Sequence, residues 1–448
     1  MRFSAPIKLV RFESVHPSKR ADLHNHAPIH LHSPQSVLGE RRENLILWIG
    51  NAVAACKDAF ISKPSIAPVI GDSSTISASH GRDPIAFKAM SVLKCGAAQR
   101  AILINIAEQP NSPLFIQLPA SPVTGNHPPH IPRFLQGKPL ASINYRWNSF
   151  DEESNDPTDD VWPTPIHDTF FAYQWIVENL APGGLKRRGI YVYGSHLGAS
   201  LASSLALTES QPHKPFAVRG LVAYNGIYNW TMFFPDHPVN RLGKHANNPS
   251  NYFRPREGTY IHYLQQNLPV FFQSTVDLFD VFASPSLFFH NPGVKVPSSY
   301  HLSEEESSAI DVMTNPYAMF DTKEKTPRKS RLVFPPRKST LKIPETLLLY
   351  DTLPVPAPTN RPGRPFTGKQ WGNSLEMQAT ELGEMMQRSI QLVELKERGL
   401  WDEDVSMWEN EPHRRIKVEH VGEESMNMEM DQKGEDIVKE WLTERIPA

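Results

Sequence analysis

Cysteine is almost missing from this sequence: Cys56 and Cys95 are the two among 448 residues. Thiols so few and so far apart make neither a disulfide framework nor a closed zinc ligand set. Free thiols in a reducing compartment are therefore expected ahead of a single disulfide. Also missing is any run approaching the roughly 20 apolar residues that cross a bilayer, so no transmembrane segment is expected. Charge of one sign is lacking too. The chain carries 46 Lys and Arg against 48 Asp and Glu, a formal net charge of -2, and that balance calls for neither nucleic acid nor a membrane surface. Glycine is scarcer than proline, 24 against 41. The prolines gather between the periodic stretches and predict long loops. What is plentiful is apolar side chain, 40% of the residues, enough for a sizeable core and against global disorder.

The opening segment, MRFSAPIKLVRFESVHPSKR, carries Arg2, Lys8, Arg11, Lys19 and Arg20 against Glu13 alone. It has no apolar stretch of the kind a secretory signal needs. A cytoplasmic protein with an unstructured start is the expectation, and a mitochondrial leader the alternative. Residues 1–40 read as a tail. Residues 41–97 read as a helical or irregular extension, with Leu45, Trp48, Ile49 and Val53 at helical spacing in RRENLILWIGNAVAACKDAF. The tail holds His24, His26, His30 and His32. H-x-H pairs bind zinc or copper elsewhere, but these lie in a Pro-containing stretch without a cysteine. No metal and no cofactor are expected, and no GxGxxG, P-loop or EF-hand pattern occurs.

From residue 98 the pattern changes. RAILINIAEQ, SPLFIQLPA and PLASINYRW are short apolar runs bounded by Pro, Gly or Asn, which predict strands. Over 165–181, Ile166, Phe170, Tyr173, Val177 and Leu180 form one helical stripe, closed by Gly183 and Gly184. RGIYVYG predicts a strand, LGASLASSLALTES a helix and VRGLVAYNG a strand. Continuous apolar strands alternating with helices predict a mostly parallel sheet buried on both faces. Residues 226–340 interrupt the alternation with aromatic, Pro-rich text that predicts a cap-like insertion. It ends in the basic connector 323–342, read as a solvated linker. ETLLLYD (345–351), a helix over 374–399, a strand over 415–422 and a helix over 434–446 complete an α/β domain spanning 98–448.

Residues 192–202, VYGSHLGASLA, read as strand, tight turn and helix. Gly194 and Gly198 flank the apex at minus two and plus two, where a sharp turn between strand and helix demands small residues. With this turn, with ASINYRW, with WPTPIHDTFFAYQWIVENL and with an insertion after the sixth strand, the chain resembles the α/β-hydrolase superfamily, in its esterase/lipase-like branch. The resemblance implies a central, mostly parallel sheet flanked by helices. It also implies a Ser-His-Asp site acting on carboxylic esters, without a cofactor, in which a hydroxyl at the apex attacks an ester carbonyl.

The residues at the implied site depart from that chemistry. The apex residue is His196, and Ser195 stands one place early. The oxyanion segment, which the family fills with glycines, is Gln117-Leu118-Pro119-Ala120, and Pro119 has no N–H to donate. Leu197, next after the apex, holds the other donor position. Asp351 is placed where the family has its acid. The loop where the base belongs, GEESMNMEMDQK, has no histidine, and the nearest is His420 inside the preceding strand. Two functions follow as expectations. One is a catalytically impaired protein acting through a retained pocket or surface on a small apolar or ester-like ligand. The other is an active esterase with an atypical site around His196 or Ser195.

Overall fold

In the computed structural model, the alternating strand and helix signals close into one eight-stranded sheet. The structure describes residues 90–94, 100–104, 112–123, 129–148, 160–184, 186–241, 253–302, 327–354, 372–398, 410–425 and 428–446, with the isolated positions 306, 309, 310, 313 and 408. All fall in the unit Pro84–Ala448. The tail, the expected helix over 41–60, the histidines of the tail and both cysteines lie outside the described residues.

The strands are β1 (Met90–Lys94), β2 (Arg100–Ile104), β3 (Leu114–Leu118), β4 (Leu140–Asn144), β5 (Arg188–Ser195), β6 (Phe216–Tyr224), β7 (Glu345–Thr352) and β8 (Ile416–Glu423). Their order is β1-β2-β4-β3-β5-β6-β7-β8. β2 pairs antiparallel with both β1 and β4, and every other pairing is parallel. β1 lies inside the stretch expected to be a helical or irregular extension. Five residues, MSVLK, give too short a signal to mark a strand, and it is the pairing with β2 that defines it.

Alternation along the strands sorts side chains between two cores. Leu114, Ile116, Ile190, Val192, Leu221 and Leu348 face one layer. Phe115, Tyr191, Tyr193, Val222, Leu347 and Leu349 face the other. Covering both faces is what continuous apolar strands require. Helices α1 (Thr164–Asn179), α2 (Leu197–Glu209) and α4 (Leu375–Ser389) bury residues in the first layer. Helix α5 (Gln432–Arg445) brings Val438, Trp441 and Leu442 to the second. A shorter helix, α3 (Tyr260–Gln266), belongs to the insertion.

The stripe predicted on α1 is turned by a fraction of a helical turn. Ile166 and Tyr173 are buried as expected, Ile176 and Ala172 join them, and Phe170 and Val177 are half-buried. The buried carboxylate of Asp168 explains the rotation. It accepts from the Arg146 backbone N–H at 3.0 Å and from Arg146 Nε and Nη2 at 3.0 and 2.9 Å, holding the chain that leaves β4. Beyond α4 the helix loosens into a π-turn, Ile390–Glu394. Glu394 there accepts from Ile343 N–H at 2.9 Å and from Arg415 Nη1 at 2.6 Å, tying the entrance of β7 to that of β8.

The insertion after β6 is built of short helical turns, and a dense aromatic cluster joins it to the segment between β4 and α1. Trp147, Trp162, Trp230, Phe271 and Phe272 meet with ring centroids 5.0–6.4 Å apart. Two serines of α2 fasten it to the sheet: Ser200 Oγ donates to Ala283 O at 3.0 Å and Ser204 Oγ to Phe282 O at 2.7 Å. Among the described residues, no helix is long and apolar enough to cross a membrane.

Candidate active site

The turn from β5 into α2 puts His196 at its apex with φ 52° and ψ -117°, left-handed backbone that a non-glycine residue adopts at a cost. Close packing imposes it. A Cβ on Gly194 would stand 2.4 Å from Gly198 O and 2.7 Å from Ala202 Cβ. A Cβ on Gly198 would stand 2.2 Å from Pro119 O and 2.4 Å from Leu118 O. The end of β3 thus presses on the first turn of α2, and the two glycines are the residues that allow it. Ser195 is the last residue of β5 and shares its strand face with Tyr191 and Tyr193, away from α2.

The surroundings of the apex present acceptors where ester chemistry needs donors. Leu197 N–H, the donor beside the apex, bonds Ala120 O at 3.3 Å. Pro119 O accepts from Tyr145 Oη at 2.8 Å. Carbonyls of Leu118, Pro119 and Ala120 therefore all face the turn. Gln117 points elsewhere: its Nε2 donates to His130 O at 2.6 Å, and its Oε1 is buried without a partner among the described residues.

His196 itself is 3% exposed. The ring of Tyr224 meets it edge-on at 5.5 Å and that of Tyr260 at 4.9 Å. Its Nδ1 is buried with no hydrogen-bond partner among the described residues. Burial among aromatic rings penalises the imidazolium and pushes the pKa down to about 3. The imidazole is neutral throughout the physiological range, and no carboxylate of the described residues is bonded to it.

Asp351 is buried at the end of β7, and its Oδ2 accepts from Tyr224 Oη at 2.5 Å and Asn225 Nδ2 at 2.9 Å. Its backbone N–H donates to Asn225 Oδ1 at 2.8 Å. Burial raises its pKa, and the Tyr224 and Asn225 hydrogen bonds oppose that rise. The phenol of Tyr224 consequently separates Asp351 from the imidazole. His420 lies on the exposed part of β8, near enough to Asp351 that it opposes the rise in that carboxyl's pKa, and no bond joins it to His196 among the described residues. Its Nε2 lies 2.9 Å from Gly422 O and 3.1 Å from Thr352 Oγ1, and its ring 5.7 Å from that of Tyr350. The structure thus brings His196, Leu197 and the 118–120 carbonyls together and reaches Asp351 through Tyr224. It leaves Ser195 and His420 facing other neighbours.

Three contributors carry no mark in the sequence: Tyr224, Tyr260 and Glu424. Glu424 occupies the loop after β8, where the resemblance puts the base, and its Oε1 accepts from Tyr260 N–H at 2.5 Å. Burial raises its pKa. Tyr224 and Asn225 are legible as the end of a strand, and the left-handed Asn225 (φ 51°) marks a turn, but neither type signals contact with a residue 126 or 127 positions later. Among the described residues, no group of three or more His, Cys, Asp or Glu side chains is arranged to hold a metal ion.

No family model matches the chain. Esterase LipQ of Mycobacterium tuberculosis (strain ATCC 25618 / H37Rv) is 28% identical over 205 residues, 40% of this chain and 46% of that protein. The chain thus spans about half the length of this curated relative. Among solved structures, carboxyl esterase 2 from Tuber melanosporum aligns over 88% of this chain and 98% of its own, with 14% identity and a TM-score of 0.41. A hormone-sensitive lipase from a metagenome library aligns over 80% and 86%, with 12% identity and a TM-score of 0.38. The strand order, the single antiparallel strand β2, the insertion after β6 and the tight turn from β5 into α2 are those of the α/β-hydrolase fold.

Proposed function

We propose that this chain does not hydrolyse esters and acts as a binding protein, through the region around His196, for a small apolar or ester-like ligand. The observation that carries the reading is the hydrogen bond from Leu197 N–H to Ala120 O. An oxyanion hole stabilises the transition state with donors aimed at a developing charge. Here one donor is already engaged and the neighbouring groups are carbonyl oxygens, which would repel that charge. The neutral His196, without a bonded acid or base among the described residues, adds to it. Nucleophilic catalysis needs an activated nucleophile and an oriented base, and neither feature supplies one.

Purified protein is expected to turn over p-nitrophenyl butyrate at the buffer rate, with no change in His196→Ala or Ser195→Ala variants. Turnover that disappears in either variant would establish the second reading, an active carboxylic ester hydrolase with an atypical site. Identity of 28% to a curated esterase favours that second reading. His196→Ser is expected to restore no activity. The new hydroxyl would have no base in reach, and each absent oxyanion donor costs a factor of about 10²–10³ in kcat. Strong recovery from this single change would mean that Leu197 N–H readily leaves Ala120 O.

A further inference from the structure

We infer that Tyr260 is a gate over a binding site for a small neutral aryl group bearing an oxygen, of the phenol or aryl-ester class, and that Glu424 latches it. The inference rests on the binding role proposed above. Two buried polar atoms lie on neighbouring rings with no partner among the described residues: His196 Nδ1 and Tyr260 Oη. Their rings stand 4.9 Å apart and perpendicular. An orphaned phenol is a poor choice for a packing residue, since phenylalanine would fill the same space without a desolvated hydroxyl. A tyrosine is suited to a residue that spends part of its time with its hydroxyl in water. The vacated ring position would then take an aryl ligand whose oxygen partners the imidazole, a neutral group able to donate or accept.

The backbone around Tyr260 is built for such a movement. It is the first residue of α3, and the preceding turn passes through Gly258 at φ +78°, where an added Cβ would meet no atom within 4 Å. Thr259 caps the helix through His262 N–H at 3.2 Å and its carbonyl accepts from Tyr263 N–H at 3.0 Å, so α3 keeps its first turn while the side chain of Tyr260 rotates outward. Ile261 and Leu264 remain buried in the core and anchor the helix. The main-chain N–H of Tyr260 is bonded to the carboxylate of Glu424, which arrives from the end of β8 and fixes the backbone position from which the ring projects inward. The gate and its latch come from different parts of the fold, the insertion and the loop after the last strand.

Carbethoxylation by diethyl pyrocarbonate reads the opening directly, because it modifies neutral imidazole and His196 stays neutral across the working range. Labelling of His196 is followed by peptide mass spectrometry at neutral pH, with urea midpoints confirming that each variant is folded. Glu424→Ala and Tyr260→Ala are expected to label at least about tenfold faster than the unmodified chain, the factor that loss of one charge-assisted hydrogen bond gives. Added 4-methylphenol is expected to slow labelling in both. Tyr260→Phe keeps the ring and removes the orphan hydroxyl, so it should label no faster and melt at a higher temperature. Unchanged labelling in Glu424→Ala and Tyr260→Ala, no protection by 4-methylphenol, or a lower melting temperature in Tyr260→Phe would each overturn the gate. The same variants assayed with p-nitrophenyl butyrate keep the two readings apart. Turnover in an opened variant that depends on His196 would end the non-hydrolytic reading and leave the gate standing.

Discussion

A Gly198→Ala chain is expected to lose about 3–4 kcal/mol of folding stability, the upper range for a methyl forced into a filled site. The methyl would stand 2.2 Å from Pro119 O and 2.4 Å from Leu118 O. Both are backbone atoms at the end of a central strand, with no rotamer to change. Relief requires moving β3 away from α2. That displaces the pairing of Leu118 with Gly194 and the bond from Leu197 N–H to Ala120 O. Gly258→Ala is the matched control. Gly258 has φ +78° and no atom within 4 Å of an added Cβ, so its alanine variant carries only left-handed strain, about 1–2 kcal/mol. Urea midpoints at unchanged m-value measure both. If Gly198→Ala fell no further than Gly258→Ala, the contact between β3 and α2 would not be what shapes the turn.

That contact is half legible in the sequence. Gly194 and Gly198, two positions either side of the apex, after an apolar run and before an alanine- and serine-rich helix, are local signals, and a local signal survives into the fold. The same holds for Pro119, whose missing N–H is a property of the residue wherever it sits. The apolar strands between β3 and β7 are legible because burial on both faces leaves them no polar alternation to confuse with a helix.

What the sequence withholds is made by long-range contact. Tyr260 meets Glu424 across 164 positions and Tyr224 meets Asp351 across 127. A tyrosine at the end of a strand or the start of a short helix carries no mark of its future neighbour. The expected long helix over 374–399 misses its π-turn for the same reason. Glu394 is drawn to Arg415 and to the N–H of Ile343, groups that only the packed sheet brings near. Asp351 does lie near the end of the seventh sheet strand, where ETLLLYD puts it, yet that address does not reveal that its oxygen is taken by a phenol instead of an imidazole.

The remaining large effect is on pH dependence, and His196 supplies it. In the unfolded chain a histidine titrates near 6.5. Folded, with the rings of Tyr224 and Tyr260 against it, His196 is pushed down to about 3 by burial. A depressed folded pKa means that the unfolded chain takes up the proton first as pH falls. The stability tied to the neutral ring is therefore complete above about pH 6.5 and is lost progressively down to about pH 3. At 1.36 kcal/mol per pH unit, acidification from pH 7 to 4.5 removes about 2–3 kcal/mol through this one group. His237, lowered to about 4 by burial, acts in the same direction. The carboxyls nearest the ring act the other way. Asp351 behind Tyr224 and Glu424 behind Tyr260 are both raised by burial, so they contribute stability on the acid side that fades as pH rises. A difference measurement cancels them. Asparagine does not titrate, and the backbone of position 196 (φ 52°, ψ -117°) lies outside the left-handed α region, so it is a strain that both side chains carry. His196→Asn should therefore keep a folded chain whose stability deficit against the unmodified protein shrinks by about 2–3 kcal/mol between pH 7 and pH 4.5. Urea unfolding of both chains at the two pH values reads that change. Parallel curves would mean that the imidazole titrates near its unfolded value and that water reaches it, contrary to the burial of His196 against the rings of Tyr224 and Tyr260.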